Sequence, residues 1–146
     1  MEHLLQIGFV VENLVEIRTQ DTPEEFGLSG RVRCLHGLFV DVDKVLAVRI
    51  QRGRRMVRTV EYSYHVGIEG KRNRPIFRYD NAHPYPGHPD AHHKHRFDPV
   101  SGRRIEPPDW VGEAGWPHLS DIIDELQEWW TTTGRFLAPP LDDEQS

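Results

Sequence analysis

The segment Met56-Val-Arg-Thr-Val-Glu-Tyr-Ser-Tyr-His-Val66 alternates apolar and polar side chains over most of its length. This period of two is typical of a β-strand that has one buried face. The predicted core face carries Val60, Tyr62, Tyr64 and Val66. The predicted solvent face carries Thr59, Glu61, Ser63 and His65. The segment therefore predicts a long strand in a sheet whose core lies on one side.

Shorter β-rich segments flank this strand, at residues 31–40, 44–51 and 74–80. We expect a turn at Asp41-Val-Asp43 and a hairpin turn at residues 51–55, and strands joined by such short turns form an antiparallel meander. Residues 3–19 fit either a helix or a strand. Residues 81–118 show no period and contain seven prolines, so they are expected to form a long irregular loop with a functional role.

The last third of the chain contains a clear helical pattern. Ser120 is a suitable N-cap, and Gly134 is placed to end the helix. The apolar face consists of Leu119, Ile122, Ile123, Leu126, Trp129 and Trp130. A helix with such a stripe is expected to lie across the sheet.

We therefore expect an α+β fold, in which a four- or five-stranded antiparallel meander sheet has a C-terminal helix packed on one face. The expected domain spans residues 1–137. Its expected parts are a sheet at about 30–80, a functional loop at 81–118 and a helix at 119–131. Residues 138–146 form an acidic tail that is expected to be mobile.

Composition excludes several classes of protein. No stretch is apolar enough to span a membrane, and the first residues lack the basic region of a secretory signal, so we expect a cytoplasmic protein. Cys34 is the single cysteine, which excludes an internal disulfide. Residues 49–104 carry 13 basic and 5 acidic residues, whereas both flanking regions are acidic. A basic region of this kind attracts polyanions, although the whole chain has a net charge of −5.

Histidines are concentrated in the predicted loop, at His83, His88, His92, His93 and His95. Imidazole performs acid–base chemistry near neutral pH and also binds metals. Three interpretations remain open: a solvated loop, a metal site, and a site of acid–base catalysis or phosphate contact. No motif typical of nucleotide binding, hydride transfer or a serine nucleophile is present.

Basic side chains cluster on the predicted hairpins. Arginine predominates over lysine, and its forked guanidinium is suited to phosphate. A solvated surface is the alternative explanation. The residues that we predict to contact nucleic acid are Arg52, Arg54, Arg55, Arg58, Arg72, Arg74, Asn81, Lys94 and Arg96.

The order of these features resembles a known family. A β-meander ends in Arg78-Tyr-Asp-Asn81, a loop then carries His93-Lys-His95 followed by Arg96-Phe97, and a helix rich in Leu, Ile and aromatic residues follows. This arrangement, over about residues 30–131, resembles the TumE-type toxins of prokaryotic toxin–antitoxin modules. The resemblance implies a toxin that has a cognate helix-turn-helix antitoxin as its partner.

The leading hypothesis is a toxin-like ribonuclease or RNA-binding protein that needs neither metal nor cofactor. His93 and His95 are the predicted acid and base, Arg78 would stabilise the phosphate charge, and Tyr79 and Asp80 would orient these groups. The predicted partners are RNA and the antitoxin, no membrane is involved, and a homodimer is left open. Two alternatives are a non-enzymatic module whose basic hairpins bind an acidic partner, and a histidine-rich metal-binding protein.

Overall fold

The computed structural model describes residues 8–19, 24–82, 87, 90–112 and 115–137. The described residues form eight strands and one longer helix. The strands are β1 (Val10–Asn13), β2 (Glu16–Thr19), β3 (Glu25–Cys34), β4 (Leu38–Gln51), β5 (Arg54–Ile68), β6 (Arg74–Asp80), β7 (His93–Phe97) and β8 (Arg104–Trp110). The helix α1 is Leu119–Thr132, and short 3-10 turns occupy Leu35–Gly37 and Gly134–Phe136.

All eight strands belong to one antiparallel sheet. From β3 to β8 each strand pairs with the next one in the sequence, while β1 and β2 both pair with β3. The predicted α+β class, the antiparallel meander and the C-terminal helix are confirmed. The predicted number of four or five strands is wrong, because the sheet has eight.

Two of the additional strands lie where an irregular loop was expected. β7 and β8 fall within residues 81–118, and neither shows an apolar alternation. β7 reads His-Lys-His-Arg-Phe, and β8 contains Pro107 and Pro108. Backbone pairing with β6 and polar contacts hold β7 in place, so its sequence lacks the hydrophobic signal on which strand prediction depends.

The predicted turn at Asp41-Val-Asp43 is also wrong, because β4 runs straight through it. Val42 is buried in the core and the two aspartates lie on the other face, so the pattern is strand alternation. The chain reverses earlier, at His36 and Gly37, where both residues have positive φ. The predicted hairpin turn is present at Arg52-Gly53, and positive φ at both positions is typical of a two-residue hairpin loop.

The core lies between one face of the sheet and α1. Tyr62, Tyr64 and Val66 are almost fully buried there, as the alternation predicted, but Val60 is 37% exposed. The buried helix residues are Ile122, Ile123 and Leu126, and Leu119, Trp129 and Trp130 pack around them. We call this side of the sheet the helix face and the other side the open face.

The helix has a different N-cap from the one predicted. His118 is the N-cap in place of Ser120, and its backbone N–H donates to the carboxylate of Asp121, 2.9 Å away. Three predictions concern residues outside the described ranges: the structure of residues 3–7, the roles of His83 and His88, and the mobility of the acidic tail at 138–146.

Candidate active site

Three candidate functional side chains form a row across the open face. His65 of β5 is the direct cross-strand partner of Arg78 of β6, and Arg78 is the partner of His95 of β7. Neighbouring strands lie about 4.8 Å apart, so the row spans about 10 Å and has the guanidinium at its centre. We refer to these three residues as the His–Arg–His row.

Asp80 connects two members of the row. It lies two residues beyond Arg78 on the same face of β6, and only 5% of its surface is exposed. Its Oδ2 atom is 2.8 Å from Nε of Arg78 and 3.6 Å from Nε2 of His95. A buried carboxylate is costly unless a cation compensates it, so Asp80 fixes Arg78 beside His95.

Both imidazoles of the row are held neutral. Burial lowers the pKa of His95 below its usual value of 6.5, and the positive charge of Arg78 lowers it further, while Asp80 opposes the shift. Partial burial, and then Arg78, lower the pKa of His65 in the same way. At pH 7 each ring can therefore accept a proton. Nδ1 of His95 is buried and lacks a hydrogen-bond partner among the described residues.

The open face has a pocket beside the row, lined by both apolar and charged side chains. The pocket, of about 200 Å³, adjoins His65 and Arg78. Asp41, the cross-strand partner of His65, also lines it and forms a salt bridge of 2.7 Å with Arg31. The Arg31 guanidinium lies 3.8 Å from the centre of the Phe39 ring, which forms part of the same wall. The pocket thus brings cationic and aromatic side chains next to the row.

The predicted catalytic residue Tyr79 and the predicted nucleic-acid contact Lys94 lie elsewhere. Tyr79 is on the helix face, where its hydroxyl donates to Glu125 of α1 at 2.7 Å. Lys94 forms an ion pair with the same carboxylate. The structure therefore does not bring Tyr79 or Lys94 together with Arg78, because alternation along β6 and β7 sends them through the sheet.

The histidines of the predicted loop separate in the same manner. His93 lies on the open face opposite Asp80 in the register and is 2% exposed, with Nδ1 3.0 Å from the carbonyl oxygen of Ala91. His92 instead contacts the core aromatics: its Nδ1 is 2.9 Å from the Tyr62 hydroxyl, and its ring lies beside Trp116.

The predicted nucleic-acid contacts do not form one surface. Arg52, Arg54, Arg55 and Arg58 are exposed at the end of the β4–β5 hairpin, and Arg55 lies ten residues from His65 along β5. At about 3.3 Å per residue, this separation is about 33 Å. The remaining predicted contacts have intramolecular partners: Arg74 donates to the carbonyl of Val100, Arg96 pairs with Asp109, Asn81 bonds the backbone of β5, and Arg72 also has an interaction.

His65 is a candidate site residue that was not predicted from the sequence. Alternation already placed it on the face opposite the core, but it lies 18 residues before the histidine-rich segment. Pairing across the turn at residues 69–73 is what brings it to Arg78. The register of β5 against β6 is the signal that would have identified His65 as a partner of Arg78. A bulge at Val66/Gly67, which the sequence does not reveal, sets that register.

Other chemistries find less support. Cys34 is buried in β3, and burial raises its pKa to about 11, so it is a poor nucleophile at neutral pH. In the ranges that the structure describes, no group of three or more His, Cys, Asp or Glu side chains could hold a metal ion. No helix in those ranges is long and apolar enough to cross a membrane.

Comparison with known proteins gives one match. The family model described as Toxin TumE matches residues 3–134 of the 146-residue chain, a range that contains the whole sheet, the His–Arg–His row and α1. No curated protein and no solved structure matches the chain. Because the family model covers nearly the full length and the resemblance in Arg78-Tyr-Asp-Asn81 and His93-Lys-His95 falls inside it, this chain belongs to the TumE toxin family.

Proposed function

We propose that this toxin is a metal-independent ribonuclease whose active site is the His–Arg–His row. Membership of the family implies a toxin-like role and an antitoxin partner. The observation that carries the finer proposal is the placement of one guanidinium between two neutral imidazoles on an accessible face of the sheet. Its substrate would be cytoplasmic RNA.

The chemistry that fits this arrangement is attack of a ribose 2′-oxygen on the adjacent phosphorus. A base removes the 2′-hydroxyl proton, the new O2′–P bond forms, the P–O5′ bond breaks, and an acid gives a proton to the departing 5′-oxygen. Attacking and leaving oxygens lie in line on opposite sides of the phosphorus, so acid and base must flank the phosphate. A phosphate bound to Arg78 would have His65 on one side and His95 on the other.

Charge decides which imidazole takes each role. Asp80 lies 3.6 Å from His95 and favours its protonated form, and a phosphate bound to Arg78 would offset the positive charge that helps to keep the ring neutral, so His95 is assigned as the acid. His65 is exposed and has no such close carboxylate contact, so it is assigned as the base. Arg78 stabilises the charge that develops on the phosphorane oxygens. Asp80 is a positioning residue, and His93, buried opposite it, is proposed to support Asp80 rather than to touch RNA.

Cleavage of a single-stranded RNA oligonucleotide by the purified protein tests the proposal. His65→Ala and His95→Ala should each lower the rate by about 10² to 10⁴, which is the usual contribution of one acid–base group. Binding of a 2′-deoxy analogue should be nearly unchanged in both variants. The double variant should lose far less than the product of the two single losses, because acid and base act together.

His36→Asn is the matched control. His36 stacks on Trp130 at a ring separation of 4.3 Å, on the helix face and away from the row, and asparagine tolerates its positive φ. Its cleavage rate should equal that of the unmodified protein. Loss of cleavage on addition of a chelator, with recovery on addition of zinc, would contradict the proposal, as would cleavage that survives both alanine substitutions.

A further inference from the structure

We propose that the segment Arg54–Val60 of β5 is a docking edge to which an extended, acidic segment of a partner protein adds as a further strand. The proposal is independent of the ribonuclease activity, because this edge begins about 17 Å from the His–Arg–His row at about 3.3 Å per residue. We call this segment the open edge.

The open edge follows from the strand pairing. β5 pairs with β4 from Arg54 to Ile68, but it pairs with β6 only from Ser63 to Ile68. The described part of the chain supplies no second neighbour for Arg54–Val60. The Asn81 side chain closes the last rung: its Oδ1 accepts from the Tyr62 N–H, and its Nδ2 donates to the Val60 carbonyl. From Val60 back to Arg54, the backbone N–H and C=O groups of every second residue point away from β4, where another strand could pair with them.

The two outer edges of the sheet are protected against any further strand, whereas the open edge has a bulge only at its Val60 end and its arginines repel basic strands but not acidic ones. β8 contains Pro107 and Pro108 together with charges of both signs, which prevents pairing with another strand. β1 and β2 are only four residues long, and each carries a glutamate. The open edge reads Arg-Arg-Met-Val-Arg-Thr-Val and has neither a proline nor an acid. Natural sheets protect such edges unless a partner uses them.

The side chains of the open edge define the chemistry of the partner. Arg54, Arg55 and Arg58 are exposed, and Met56 and Val57 are 51% and 54% exposed. A hollow of about 320 Å³ lies on this hairpin, lined by Ala47, Arg49, Gln51, Met56, Val57 and Arg58. Arg54 and Arg58 lie on one face of the open edge and Val57 on the other, so a strand with acids on one face and apolar residues on the other would pair its acids with the two arginines and pack its apolar residues on Val57.

Two other occupants fit less well. A second copy of the chain would bring the same three arginines against each other, and like charges placed opposite each other destabilise a pair of strands. RNA would neutralise the arginines but would leave Met56, Val57 and the outward backbone groups without a partner. The combination of cations, apolar side chains and unpaired backbone therefore favours an acidic peptide.

Val57 allows the backbone contribution to be tested separately. Counting from the Gln51–Arg54 pair that closes the turn, Val57 and its partner Val48 occupy a non-hydrogen-bonded position, so the Val57 N–H faces the open side. Val57→Pro removes this donor without removing a bond to β4. Val57→Ala is the matched control, because it shortens the same side chain and keeps the N–H.

The experiment measures binding of the synthetic peptide Glu-Val-Glu-Val-Glu-Val-Glu to the full chain, by calorimetry and by amide shifts in NMR spectra. We expect specific shifts along the open edge, and Val57→Pro should weaken binding about tenfold. Val57→Ala should weaken binding clearly less. The peptide Lys-Val-Lys-Val-Lys-Val-Lys should not bind, and Arg54→Glu with Arg58→Glu, two positions on the same face of the strand, should reverse the preference between the two peptides.

The rate of RNA cleavage should be equal in Val57→Pro and the unmodified protein. The peptide-binding test does not use cleavage as its readout, so it stays valid if the ribonuclease proposal fails. Equal peptide affinity in Val57→Pro and Val57→Ala would overturn strand addition. Absence of binding by the acidic peptide, or shifts at the open edge with an RNA oligonucleotide in its place, would overturn the proposed partner.

Discussion

The carboxylate of Asp80 acts on two members of the His–Arg–His row. The Oδ2 atom of Asp80 lies close to both Arg78 and His95. It attracts the Arg78 guanidinium, which is always positively charged, and the His95 imidazole, which is positively charged only when protonated. When an anionic substrate binds Arg78, less of the guanidinium charge acts on His95, and the balance shifts toward the imidazolium. In the proposed reaction, substrate binding would thereby favour the protonated His95 that acts as the acid.

The lowered pKa values of His65 and His95 also affect stability. In the unfolded chain both rings take up protons near their ordinary pKa of 6.5, whereas the folded protein takes them up only at lower pH. The unfolded state therefore binds more protons in that window, so the stabilisation is complete above about pH 6.5 and is lost as the pH falls through the folded-state values. Free energies of unfolding from urea titrations at pH 7.5, 6.5 and 5.5 measure this effect.

We expect His95→Gln to lose less stability between pH 7.5 and pH 5.5 than the unmodified protein. His36→Asn, for which the structure gives no comparable burial, serves as the control and should keep the original dependence. The same pH dependence in all three proteins would show that His95 is not responsible.

Among the elements, β5 and α1 were predictable because each has a regular apolar period and lies against the core along one side. β7 was not predictable, since four of its five residues are histidine, lysine or arginine. Alternation places Lys94 on the helix face, where Glu125 pairs with it. For the same reason, the candidate site could be predicted from the sequence only in part. Arg78, Asp80 and His95 stood out by residue type and resemblance, whereas His65 required the register between two strands.

The packing of α1 can be tested directly. Leu126 is fully buried against the sheet, so Leu126→Ala should lower the free energy of unfolding by about 2–5 kcal/mol. Glu128 is exposed on the opposite side of the helix, and Glu128→Ala should change it by less than about 0.5 kcal/mol. Urea denaturation of both variants provides the values. Similar losses in the two variants would mean that the helix does not use this face.

Much of the basic charge of residues 49–104 lies in two separate regions of the molecule, the His–Arg–His row and the end of the β4–β5 hairpin. At about 3.3 Å per residue along β5, the row lies about 23 Å from Arg58 and about 33 Å from Arg55, so a dinucleotide cannot contact both the row and the hairpin arginines. We expect Arg54→Glu with Arg55→Glu to leave kcat/KM for a dinucleotide substrate unchanged. Comparison with a long RNA checks the original prediction of nucleic-acid contacts. If kcat/KM for the long RNA falls and its salt dependence weakens, the hairpin binds RNA; if neither changes, it does not.

The His–Arg–His row is built from consecutive strands of the meander, and its members are separated by only 13 and 17 residues in the sequence. Bringing them together closes two short loops, which costs far less chain entropy than assembling residues from distant parts of a chain. Sheets with such low contact order fold faster than those with distant pairings. The row would therefore form early in folding, before α1 covers the helix face, and catalytic geometry would precede full stability.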